Sequence, residues 1–121
     1  MSDVQKLADR YVAIWNETDN AMRRKTIAEI WAADGQHYSG TLEAHGYDAL
    51  EKRITGSNEK NIKIGGNRFR SVKNAQALRN VVFFNWEMTP AGDDKTVVAA
   101  GVIVLIVDEK QRILFDYQFF F

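Results

Sequence analysis

Up to about residue 56 the apolar positions recur mainly every three or four residues; beyond Asn61 they gather into long runs with strand character. Val4, Leu7, Ala8, Tyr11, Val12, Ile14 and Trp15 share one helical face and predict a first helix over about 3–16. Ser2 and Gln5 stand at capping-box spacing at its start. Asp19 or Asn20 can cap a second helix, over about 20–33, whose buried stripe is Ile27, Ile30 and Trp31 and whose stop is Gly35. Gln36–Ser39 and Thr41–Ala44 read as a short hairpin turned at Gly40. A third helix follows over about 46–56, buried through Leu50 and Ile54.

Four strands are expected after it, near 62–73, 77–89, 95–108 and 111–121. Ile62 and Ile64 share a parity that Phe69 does not, so a bulge at Gly65-Gly66 would bring all three to one face. Thr89–Asp94 is a hairpin loop. From Val97 to Val107 every residue is apolar or glycine. That run is too short to cross a bilayer, which takes about 20 residues of helix. Its Val and Ile content instead predicts a strand covered on both faces. Helices would cover one face and a second subunit the other. The order of elements defines one α+β domain over 1–121, with helices layered on a mostly antiparallel sheet. A bent sheet around helices leaves a cavity between the layers, a usual place for a small molecule.

Composition narrows the chemistry. Sixteen Lys and Arg balance 16 Asp and Glu, so no net field draws the chain to nucleic acid or an anionic membrane. The absence of cysteine excludes disulfides, thiol nucleophiles and thiolate metal sites. His37 and His45 lack the spacing of a metal pair, so neither metal nor cofactor is expected. The first residues lack the basic-then-apolar pattern of a signal peptide, which makes the cytoplasm the expected compartment.

Several strings, in consistent order, resemble the nuclear transport factor 2-like superfamily, in particular its SnoaL-like branch. Arg10-Tyr11-Val12-Ala13 with Trp15-Asn16 is similar to the first helix of ketosteroid isomerases and SnoaL-like proteins. Ile30-Trp31-Ala32-Ala33-Asp34-Gly35 resembles their passage into the first strand, and Glu43–Leu50 their third helix. Phe84-Asn85-Trp86-Glu87 and Arg112-Ile113 with Phe119-Phe120 resemble the closing strands. The resemblance implies a cone of three N-terminal helices packed on a curved sheet, commonly a homodimer, with a pocket inside. It does not choose among isomerisation, cyclisation, hydrolysis, carriage and plain dimerisation, all found on this fold. By resemblance Tyr11 matches an oxyanion-donating tyrosine of the isomerases. Their catalytic base would fall near Ser39 and their protonated acid near Ile103. Neither residue can take that role, so ketosteroid isomerisation by that route is not expected.

Strand alternation puts Ile113, Phe115, Tyr117, Phe119 and Phe121 on one face of the last strand, and Leu114, Asp116, Gln118 and Phe120 on the other. By resemblance the second face looks into the cone. Asp116 would then be a desolvated carboxylate, suited to acid–base work and uncompensated enough that leucine should stabilise the fold. The alternative is a rim carboxylate, solvated or paired. His37 shares the parity of Ser39 and is either an acid–base partner or a hydrogen-bonded structural histidine. The candidate catalytic set is therefore Asp116, His37 and Tyr11. Trp15, Trp31, Ser39, Trp86, Ile103, Gln118 and Phe120 are the candidate ligand contacts. A small, largely apolar molecule is the expected ligand. The competing expectation is a non-catalytic carrier or a dimerisation module whose cone is filled by side chains.

Overall fold

A computed structural model describes residues 3–121. Helix α1 spans Asp3–Asn16 and α2 spans Asn20–Ile30. Strands β1 (Trp31–Ser39) and β2 (Leu42–His45) come next, and α3 (Gly46–Ser57) follows them. The third helix follows the first hairpin, where the sequence pattern puts it, so the three helices precede all of the sheet except that hairpin. The remaining strands are β3 (Asn67–Ser71), β4 (Gln76–Leu78), β5 (Val81–Pro90), β6 (Ala99–Val107) and β7 (Ile113–Phe120). They form one sheet in the order β2-β1-β7-β6-β5-β3, with β4 also on β5. All pairs are antiparallel except β1 with β7, so the sheet is mixed.

The helices cover the inner face. Tyr11, Ile14 and Trp15 of α1, Ile27 and Ile30 of α2, and Leu50 and Ile54 of α3 meet Val82, Phe84, Ile103, Leu105 and Ile113 of the sheet. All are almost fully buried, and each large apolar side chain removed from water contributes about 1.5–3 kcal/mol. Asp19 caps α2 by accepting from the Met22 amide at 2.9 Å. The expected Ser2 cap of α1 lies outside the described residues. Gln5 reaches across to β3, donating to Ser71 Oγ at 3.2 Å and accepting from the Ala75 amide at 3.1 Å.

Several boundaries differ from the sequence reading for identifiable reasons. Helix α2 ends at Ile30, three residues early, because Trp31 is fully buried and pairs with Ile113 of β7. Residues 62–64 are not strand. Asn58–Ile64 continues α3 as a wider coil with i→i+5 bonds, seen where the Gly65 amide donates to the Lys60 carbonyl at 3.0 Å. Fully buried Asn58 anchors this coil by donating to the Trp15 carbonyl at 3.0 Å. Ile62 is turned inward and Ile64 is left 86% exposed, so the two do not share a face. The expected strand over 77–89 is two strands, β4 and β5, divided at Arg79-Asn80.

One residue changes the face assignment of β7. Val107 pairs with Ile113 but Ile106 pairs with Phe115, so Leu114 is an extra residue, a bulge. Ile113 therefore faces inward together with Asp116, Gln118 and Phe120, and not outward with Phe115, Tyr117 and Phe119 as strict alternation requires. Gly101, opposite Phe120 of β7, leaves no room for a side chain: a Cβ there would strike the Phe119 carbonyl and sit 2.7 Å from Trp86 Nε1.

Candidate functional site

The parallel β1–β7 pair places His37 opposite Asp116 and Ser39 opposite Gln118, two successive rungs on the inner face. On the deeper rung His37 Nδ1 and Asp116 Oδ2 are 2.7 Å apart. Helix α1 brings a third group: the Tyr11 hydroxyl donates to the same Asp116 oxygen at 2.7 Å. The three side chains are sealed, with exposures of 2% for Tyr11, 1% for His37 and 0% for Asp116. A carboxylate only accepts, so its bond to His37 puts the imidazole proton on Nδ1 and leaves Nε2 as the free nitrogen. His37 Nε2 and Asp116 Oδ1 are buried without a hydrogen-bond partner.

Aromatic rings box the cluster. The Tyr11 ring lies 5.5 Å from Trp31 and 5.6 Å edge-on from Phe84, and the His37 ring is 5.4 Å from Trp15. Burial pushes the Tyr11 hydroxyl well above the usual tyrosine range, and the Asp116 charge and its hydrogen bond push it further. Nearby Arg53 pulls in the other direction. Tyr11 is thus a committed proton donor that holds Asp116, not a free donor facing the cavity.

Next to the deep rung lies a cavity of about 840 Å³. Its floor is the second rung, Ser39 and Gln118, with Ser39 Oγ donating to Gln118 Oε1 at 3.0 Å. Phe69, Trp86, Met88 and Phe120 make an apolar wall, and α3 with the wide coil supplies Arg53, Ser57, Lys60 and Asn61. Trp86 meets Phe120 edge-on at 5.4 Å and Phe69 at 5.7 Å. Arg53 donates to Gln118 Oε1 at 3.3 Å, and its guanidinium lies 5.2 Å over the Trp15 ring. A smaller depression of about 350 Å³ beside Arg10, Glu29 and Arg112 contains none of these residues.

Of the candidate ligand contacts, Ser39, Trp86, Gln118 and Phe120 line the cavity. Trp31 and Ile103 are core side chains outside its wall, and Trp15 lies beneath Arg53. His45 is at the surface, 3.2 Å from Glu43. The sequence reading passed over Arg53. Its signal was a cation three residues after Leu50 and one before Ile54, inside the apolar stripe of α3. No group of three His, Cys, Asp or Glu side chains among the described residues is arranged to hold a metal ion. No helix among them is long and apolar enough to cross a membrane.

Three helices packed on a mixed seven-stranded sheet match a nuclear transport factor 2-like fold. A candidate isomerase of the SnoaL-like family from Agrobacterium tumefaciens superposes with a TM-score of 0.85 at 26% identity, covering 100% of this chain and 99% of that one. A SnoaL-like protein of unknown function from Burkholderia thailandensis gives 0.70 at 12% identity, covering 100% and 98%. An NTF2-like protein of unknown function from Exiguobacterium gives 0.67 at 13%, covering 95% and 98%. No protein-family model matches the sequence, and no curated protein matches it. Over its whole length the chain is similar to SnoaL-like proteins of the nuclear transport factor 2-like superfamily.

Proposed function

We propose that the cone binds a small, largely apolar molecule and that His37, Asp116 and Tyr11 perform acid–base chemistry on it. The observation that carries this reading is a histidine–carboxylate–tyrosine cluster one rung beneath the floor of an 840 Å³ cavity. In this reading His37 Nε2 takes and returns a proton, Asp116 fixes the imidazole tautomer and orientation, and Tyr11 holds Asp116. The ligand's apolar body lies on Phe69, Trp86 and Phe120. Access to Nε2 requires the Ser39–Gln118 rung to part. The active unit is a cytoplasmic homodimer joined through the outer face of the sheet, where Tyr117 and Phe119 are exposed.

A second reading, a carrier or dimerisation module without chemistry, draws on one observation: no atom of the cluster belongs to the cavity wall. Hydrogen exchange into an enolisable apolar ketone separates the two. With 2-tetralone in D2O, an acid–base enzyme accelerates deuterium incorporation at the α-carbon, and His37→Gln and Asp116→Asn lose that acceleration. Binding of the ketone with no acceleration over buffer leaves the carrier reading in place.

A further inference from the structure

Arg53 is unlike the other arginines that fold into this molecule. Arg23 is fully buried and makes four hydrogen bonds, two to the Glu17 carbonyl and one each to Asn20 and Thr55. Arg24 and Arg70 each hold a carboxylate at 2.8 Å. Arg53 has one long hydrogen bond to a neutral amide and a ring beneath it, while its Nε is buried with no partner. No carboxylate among the described residues lies within ion-pair distance of it. Asp116, its nearest acidic neighbour by charge, is already bonded to Tyr11 and His37. Arg23 also lacks an anion, but its four hydrogen bonds satisfy it; a half-buried guanidinium with neither an anion nor enough acceptors is costly unless something supplies them.

The surroundings say what that is. Lys52, Arg53 and Lys60 line the cavity against a single acid, Glu43. Arg53 lies at the Ser39–Gln118 floor, bonded to Gln118, while Phe69, Trp86 and Phe120 supply the aromatic wall. A guanidinium fork with free donors fits a planar anion of two oxygens. We infer that the cavity's ligand carries a carboxylate, bound by Arg53 with Ser39 and Gln118, and an apolar body seated against Phe69, Trp86 and Phe120. This rests on the cone being a cavity for a largely apolar molecule, and it adds the group that orients such a molecule over the His37–Asp116 rung.

A matched pair of probes tests it: 2-naphthoate and its neutral isostere 2-naphthamide, titrated by calorimetry against the full chain. The expected result is naphthoate bound at least about tenfold tighter than naphthamide, the range of a charge-assisted contact. Arg53→Gln should erase that preference while keeping amide binding, and Arg53→Lys should keep part of it. Lys60→Gln, at the mouth, should leave most of it. Equal binding of acid and amide by the unaltered chain overturns the carboxylate inference alone. Failure of both probes to bind overturns the apolar-ligand reading and the inference with it. The comparison on the unaltered chain decides the matter even where Arg53→Gln does not fold.

Discussion

His37 and Asp116 stand opposite each other on the parallel β1–β7 pair and are joined Nδ1 to Oδ2 at 2.7 Å, although 79 residues separate them. With Tyr11 on the same oxygen, Asp116 is a compensated buried carboxylate. Compensation reverses the expected effect of removing it. Asp116→Leu strands the Tyr11 hydroxyl and the His37 N–H in the core, so it should destabilise the fold by about 3 kcal/mol. Asp116→Asn keeps the shape and one acceptor and should cost roughly half as much. Urea unfolding of the two variants measures both; a leucine variant more stable than the unaltered chain would show that the pair is a net liability.

Tyr11 gives a pH signature. Its hydroxyl titrates higher in the folded chain than in the unfolded one, so the folded state keeps its proton longer. That stabilisation is fully present below the unfolded value of about 10 and declines as pH rises from there toward the folded value. The stability difference between the unaltered chain and Tyr11→Phe should therefore be constant up to about pH 10 and shrink above it. At neutral pH the phenylalanine variant should be about 1–2 kcal/mol less stable. Chemical denaturation at pH 8, 9, 10 and 11 checks the sign; a difference that grows above pH 10 contradicts it.

Gly101 should tolerate no side chain. The added Cβ meets a backbone carbonyl of β7, which cannot swing aside as a long side chain would, and Trp86 closes the other direction. Gly101→Ala should cost about 3 kcal/mol and distort the Trp86–Phe120 wall of the cavity. Near-UV circular dichroism reports the tryptophan, and a variant melting with the unaltered chain refutes the close approach.

On the outer face Tyr38, Tyr117 and Phe115 stack as a ladder, with centroids 5.5 and 6.4 Å apart, and Phe119 beyond them is 52% exposed. A self-complementary apolar patch suits a two-fold dimer. Light scattering at low micromolar concentration should give twice the chain mass, and Tyr117→Glu should reduce it to one. A single chain mass for the unaltered protein rules this interface out.

The order of elements, the grouping of Asp116, Gln118 and Phe120 on one strand face, and that of His37 and Ser39 on another are written in local pattern, whereas the inward direction of the Asp116 face is implied by the family resemblance alone. Apolar period and turn residues set them through contacts within a few positions. Three features required the folded chain. Leu114 bulges out of register, which turns Ile113 inward, because β7 must match β6 on one side and the irregular β1 on the other. Ile62 sits in a widened helical coil rather than a strand because Asn58 is tied to the end of α1. The third is the meeting of Tyr11, His37 and Asp116, with Arg53 above them. Those residues come from a helix, two strands and another helix, and no local period relates positions that far apart. Only the packing of α1 and α3 over the parallel rung brings their polar atoms together, and with them the charge that decides what the cavity can hold.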